Sequence, residues 1–260
     1  MPQDFTTVTE LAGDSVTQRQ IEQIYHRYAW AAKHCEGKDV IEVACGTGQG
    51  LGLLKSKAKS LRAGDYEKKH IDIMLEHYGD RLQLEQVDAQ DMLYDDASAD
   101  CILIFEALYY LPDPKKFVQE CLRVLRPGGT VLVTNSNKDL YDFNPSPFSH
   151  MYHGVLELGE LFGEFGFETV CYGRSLVSTA GLRQRALRGV KSLAVKLGLM
   201  PKTMRGKKFL KRLVFGKLQL MPVELEEGMF LFEELDAIPQ DAPDSTHCFI
   251  YCSAMRKSRA

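Results

Sequence analysis

Asp39-Val40-Ile41-Glu42-Val43-Ala44-Cys45-Gly46-Thr47-Gly48-Gln49-Gly50 joins a short, mostly apolar run to a cluster of glycines. The run has the character of a strand covered on both faces. The glycines after it let the chain turn sharply where a Cβ would obstruct a ligand. A helix opening at such a turn presents unpaired backbone amides, which suit a carboxylate or a phosphate. A dinucleotide fingerprint would place glycine two residues beyond Gln49. Leu51 stands there, so the spacing is GxGxG rather than GxGxxG, and nicotinamide cofactors are disfavoured.

Further strands are expected over residues 60–64, 82–87, 101–105 and 130–134, with helical stretches between them. That alternation predicts an α/β fold, a Rossmann-like sheet with helices on both faces. Asp113 before Pro114 caps a helix carrying Phe117, Cys121, Leu122 and Leu125 at helical spacing and stopping at Pro127-Gly128-Gly129. Ser15 or Thr17 caps an earlier helix through Ile21, Ile24, Tyr25 and Tyr28. A short helix over 157–165 ends at Gly166, and two late strands are expected at 167–172 and 247–254.

With 260 residues, 45% of them apolar, the chain can bury a full-sized core as one elaborated domain. Its first residues lack the basic and apolar regions of an export signal, and no apolar run approaches about eighteen residues. A soluble, cytoplasmic protein is expected. The seven cysteines show no C-x-x-C spacing and are read as reduced, mostly buried thiols, with no metal site. Net charge is only -3, but its distribution is lopsided: residues 174–217 carry thirteen Lys or Arg and no acid, and residues 218–255 carry eight acids and no Lys or Arg. The expected layout is a cap helix over the cofactor in 1–35, a core of 36–172 plus 245–256, and a basic-then-acidic insertion, 173–244, before the last strand. The insertion is expected to be a helical lid or acceptor-binding element.

Acidic residues at strand ends sharpen the chemistry. Asp65 closes the second strand, where a carboxylate can accept from both ribose hydroxyls, and Asp88, followed by the small Ala89, closes the third, within reach of an adenine amine. With Glu42, three carboxylates converge on one crevice at the carboxyl ends of the strands. The chain resembles a class I S-adenosylmethionine-dependent methyltransferase, of the type-11-like small-molecule group. The resemblance rests on VIEVACGTGQG at 40–50, AGDY at 63–66, VDAQDM at 87–92, ADCILIFEALYYLPDP at 99–114 and RVLRPGGTVLV at 123–133. It implies S-adenosyl-L-methionine as cofactor. Glu42, Ala44, Gly46, Thr47 and Gly48 would hold its methionine part, Asp65 with Tyr66 the ribose, and Asp88 with Ala89 the adenine. Phe105 and Glu106 would lie beside the sulfonium, under Tyr28 of the first helix.

The acceptor is less sharply defined. The loop of residues 135–153 should lie over the reacting methyl, and His150 is its candidate general base, with Tyr152 and Tyr109 beside the acceptor. Asn144-Pro145-Ser146-Pro147-Phe148 is superficially similar to the NPPF-type motif of amino-group methyltransferases, but that motif follows the fourth strand and this one follows the fifth. Three readings compete for the basic stretch: a lid paired with the acidic stretch 224–244, a site for a phosphorylated acceptor such as a nucleotide- or lipid-linked sugar, or contact with an anionic membrane or RNA. No RNA-binding module supports nucleic acid as partner. The leading expectation is O-methylation of a small or glycan-like acceptor. Its rivals are N-methylation of a small amine or amino sugar and a non-catalytic cofactor-binding protein. Oligomeric state is open.

Overall fold

β2 (Asp39–Val43) is buried from its second residue onward and pairs in parallel with β3 (Ser60–Asp65) on one side and β5 (Ala99–Phe105) on the other. In a computed structural model, which describes residues 9–177 and 218–257, this strand lies inside an eight-stranded sheet. The other members are β4 (Gln83–Gln86), β6 (Leu125–Ser136), β7 (Phe167–Leu176), β9 (Asp236–Ala237) and β10 (His247–Arg256), in the order β4-β3-β2-β5-β6-β10-β7-β9. β10 runs antiparallel between β6 and β7, with Phe249 opposite Ser136 and Arg174. From β2 the chain first winds outward through β3 to β4, then returns to lay β5 and β6 on the other side. A crevice therefore opens at the carboxyl ends of β2 and β5, where such sheets bind ligands.

Helices cover both faces. On one, α4 (Pro114–Val124) and α5 (Val155–Gly163) bury Phe117, Val118, Cys121, Leu158 and Phe162 against the sheet. On the other, α1 (Gln18–Cys35), α2 (Leu51–Lys55) and α3 (Lys68–Tyr78) bury Tyr25, Trp30, Leu54 and Met74. Each of these large side chains contributes about 1.5–3 kcal/mol by leaving water. Six of the seven thiols are buried among them.

Several local expectations shift for identifiable reasons. The cap of α1 is Thr17, whose hydroxyl accepts from Gln20 N while the Gln20 side chain accepts from Thr17 N. Ser15 instead belongs to β1 (Ser15–Val16), paired with β8 (Gln219–Leu220). α4 ends at Val124, before the Pro-Gly-Gly. β6 has already begun there, and its register against β5 jumps from Ala99↔Leu125 to Cys101↔Thr130 across those residues. α5 starts and stops two residues early.

The helical part expected within the insertion falls on residues outside the described ones. Its acidic end is described and wraps α1–α3. Met221 and Leu225 are buried, Leu225 N donates to Gln49 O, and Gly228 N donates to the Tyr25 hydroxyl. Glu224 pairs with His77 and Arg81, Glu227 with Lys57 and Glu234 with Lys33. Glu233 reaches Arg174, a member of the basic stretch. Among the described residues, then, three of the eight acids, Glu224, Glu227 and Glu234, meet bases of α1, α3 and the turns beside α2 and α3.

Candidate functional site

The crevice is a cavity of about 710 Å³, within the usual ~300–1,000 Å³ of small-ligand sites. Its floor begins at the glycine turn. Gly46 and Gly48 have φ of 60° and 75°, the left-handed region that glycine enters without a Cβ penalty. Asp65 holds the turn from the end of β3: its Oδ2 accepts from Gly46 N at 2.8 Å, and its Oδ1 accepts from Glu67 N and faces His70 Nδ1, both at 2.9 Å. His70 Nε2 is buried beside the cavity with no hydrogen-bond partner among the described residues.

Glu42 is 1% exposed at the bottom of the site. The Tyr28 hydroxyl donates to its Oε1 at 2.6 Å, while Oε2 is buried without a partner among the described residues. Burial pushes the Glu42 carboxyl up to about 8, and the charge of Asp65 adds to this against the opposing Tyr28 hydrogen bond. A carboxylate in this state is a receptor for a cation. Asp88 turns the chain after β4 by accepting from Gln90 N. Tyr66 is 56% exposed at the rim.

Across the switch point the wall changes character. Glu106, just past β5, sits at a φ of 50°. Its Oε2 accepts from Ser136 N, from Ser136 Oγ at 2.7 Å and from the Tyr109 hydroxyl. Its Oε1 faces Arg27 of α1 at 3.5 Å. Burial works against the charge of Arg27, but Glu106, Tyr251, Tyr109 and Glu10 outweigh it and hold the guanidinium firmly protonated. The Arg27 guanidinium also lies over the Phe249 ring, 5.5 Å from its centroid. Ile24, Tyr109, Tyr110, Leu111 and Pro112 complete this half.

Of the residues singled out in the sequence, Tyr28, Glu42, Ala44, Gly46, Asp65, Tyr66, Asp88, Ala89, Phe105, Glu106 and Tyr109 line the cavity. Thr47 and Gly48 lie behind the lining. Thr47 is buried, and the Gly48 carbonyl accepts from the Tyr78 hydroxyl. Tyr152 stacks on Tyr109 at 4.0 Å and accepts from Ser146 N, one layer back. His150 is tied to Tyr109 only through its backbone, N to O at 2.8 Å; its side chain is exposed and outside the lining. Sequence reasoning missed Arg27, His70 and Phe249. The signal for Arg27 was a polar stripe, Gln20, Gln23, Arg27, at helical spacing on the face that also carries Ile24 and Tyr28.

Residues 41–133 match the family model described as a methyltransferase domain. That stretch is a methyltransferase domain of the class I type. A protein of Mycolicibacterium smegmatis named "Probable S-adenosylmethionine-dependent methyltransferase/" is 32% identical over 166 residues, 62% of this chain and 63% of that one. A "Fatty-acid O-methyltransferase" of the same species is 35% identical over 120 residues, 44% of this chain and 42% of that one. The chain thus spans less than two thirds of the length of these relatives. Among solved structures, the [4+2]-cyclase SpnF superposes with a TM-score of 0.59 at 17% identity, over 96% of this chain and 86% of that one, which is likeness of fold alone.

The cofactor of this family is S-adenosyl-L-methionine, and the methyltransferase domain has matching groups. Glu42 Oε2, with no partner among the described residues, suits an ammonium, and the Asp65–His70 pair suits a ribose. When bound, the cofactor supplies an electrophilic methyl group on a sulfonium. The residues of the chain would bind it, orient it and keep water away. No helix among the described residues is long and apolar enough to cross a membrane.

Proposed function

We propose that the protein transfers a methyl group from S-adenosylmethionine to an oxygen of a small acceptor with an apolar or aromatic body. The observation that carries this reading is the shape of the cavity. It continues past the cofactor groups across the switch point into a second half walled by α1, the segment after β5, and Phe249. A protein that only bound the cofactor would have no use for that second half. The relative named for fatty-acid O-methylation supports oxygen as the methylated atom. An amine would have to compete with Arg27 for Glu106 Oε1, since the other oxygen of that carboxylate is held by Ser136 and Tyr109.

Glu42, the Gly46 turn, Asp65 and Asp88 bind the cofactor in this reading. Phe105 and Glu106 flank the transfer, which gains most from positioning and exclusion of water. His150, exposed and off the lining, has no assigned step, and Tyr152 supports Tyr109 from behind. The wall of the second half favours an apolar acceptor over a glycan. The phosphorylated-sugar reading rests on the basic stretch, most of which lies outside the described residues.

Incubation with labelled S-adenosylmethionine and separate lipid-extract and polar-metabolite fractions, followed by mass spectrometry, tests this reading. Label in an O-methylated lipid-soluble product is expected. Label only in sugars or amines would replace the acceptor assignment. Cofactor binding without any S-adenosylhomocysteine formed would leave a binding protein.

A further inference from the structure

Arg27 is a half-buried cation whose hydrogen-bonding capacity is almost unused among the described residues. Its side chain is 15% exposed, and among the described residues its only ionic contact is Glu106 Oε1 at 3.5 Å, longer than the ~2.7–2.9 Å of a charge-assisted hydrogen bond. A guanidinium offers five N–H donors in a planar fork, and a fork left open inside a cavity is matched by a carboxylate, bidentately. Glu106 does not fill that role, because its Oε2 is held back by Ser136 and Tyr109. The ring of Phe249 backs the guanidinium, with its centroid 5.5 Å from the guanidinium carbon. The rest of this half, Ile24, Tyr110, Leu111 and Pro112, offers apolar and aromatic surface.

We propose that Arg27 is an acceptor-binding residue and that the acceptor is a carboxylic acid with an apolar body, converted to its methyl ester. The proposal rests on the methyltransferase reading above and narrows it to one functional group. An acceptor carboxylate oxygen forms the new O–CH3 bond as the S–CH3 bond breaks. The bonding electron pair passes to sulfur, leaving the neutral thioether S-adenosylhomocysteine. A carboxylate and a sulfonium become an ester and a thioether with no proton to remove, so no general base is required. The lining agrees with this chemistry: among the described residues its only histidine is His70, bonded to Asp65 on the cofactor side. The groups assigned to the cofactor, Glu42, Asp65 and Asp88, lie in or after β2, β3 and β4. Arg27 faces instead toward Glu106 and Phe249, the latter on β10, three strands from β2.

The test uses the whole chain with straight-chain alkanoates of four to sixteen carbons, the matching primary alcohols, and benzoate. Product is read by gas chromatography with mass detection, and alkanoate affinity by calorimetry with S-adenosylhomocysteine present. Methyl esters from at least one acid, and none from the alcohols, are expected. Arg27→Met should raise the KM for that acid at least tenfold and abolish its calorimetric binding, while cofactor affinity stays within about threefold. Arg27→Lys should recover part of the loss. If the variants do not fold, the wild-type comparison of acids with alcohols still decides. Methylation of alcohols alone, or no esters from a protein that binds cofactor, overturns the carboxylate proposal and leaves the methyltransferase reading standing. Loss of cofactor affinity in Arg27→Met with unchanged acid binding would assign Arg27 to the cofactor and also overturn it. Failure of the wild-type protein to bind cofactor would instead retire the broader reading.

Discussion

Asp65 sits at the end of β3 with both carboxylate oxygens in use, one on Gly46 N and the other on Glu67 N and His70 Nδ1. The residue expected from the sequence to hold a ribose therefore also builds the turn that receives the methionine end. Asp65→Asn keeps the volume but replaces one acceptor by an NH2 group, which must then face an N–H donor. A buried donor left unsatisfied costs about 1–3 kcal/mol, roughly 5- to 150-fold in binding if the cost falls on the loaded site. Calorimetry with S-adenosylmethionine should show the affinity of Asp65→Asn reduced by about tenfold or more, with the fold retained by circular dichroism. An affinity within twofold of wild type would mean that the carboxylate does not shape the site.

At the scale of elements, α1 comes closest to the glycine turn where Tyr28 meets Gly50. A Cβ built on Gly50 would lie 2.1 Å from the Tyr28 ring, although its φ of -97° would suit any residue. Gly50→Ala should therefore act by overpacking, costing about 1–3 kcal/mol and, at roughly 2–4 °C per kcal/mol for a chain near this size, lowering the melting temperature by several degrees. Because Tyr28 donates to Glu42, cofactor affinity should fall as well; unchanged melting and affinity would show that α1 can ride outward freely. The two halves of the site differ in how far they were legible for a related reason. Glu42, Asp65 and Asp88 each end or follow a strand whose own sequence announces it, so their convergence follows from sheet order. Arg27, Phe249 and Ser136 meet only because α1 crosses over the strand ends and β10 returns between β6 and β7. No local spacing records that meeting. Thr17 and Ser15 were equally good caps on chemistry alone, and the choice was made by the pairing of Ser15 with Leu220, some two hundred residues away.

For the molecule as a whole, the cost of burying Glu42 ties stability, pH and cofactor together. In the unfolded chain this carboxyl titrates near 4.5, and in the folded protein near 8. Between those values the folded state holds a proton that the unfolded state has released, so this group's contribution to stability is complete below about 4.5 and declines as pH rises toward 8. A bound ammonium reverses the preference, because it needs the carboxylate. Below pH 8, cofactor binding should then expel a proton, affinity should strengthen from pH 6 to 8 and level off above, and the gain in melting temperature given by the cofactor should widen over the same interval. Calorimetry at pH 7 in two buffers of different ionisation heat should count close to one proton released per cofactor bound. Glu42→Gln should bind more weakly and release none. Tyr28→Phe removes the hydrogen bond that opposes the shift, so its affinity rise should move to higher pH. A proton count near zero in the wild-type protein, or an affinity flat from pH 6 to 8, would show that Glu42 is already ionised before the cofactor arrives and that the cavity floor is wetter than its burial implies.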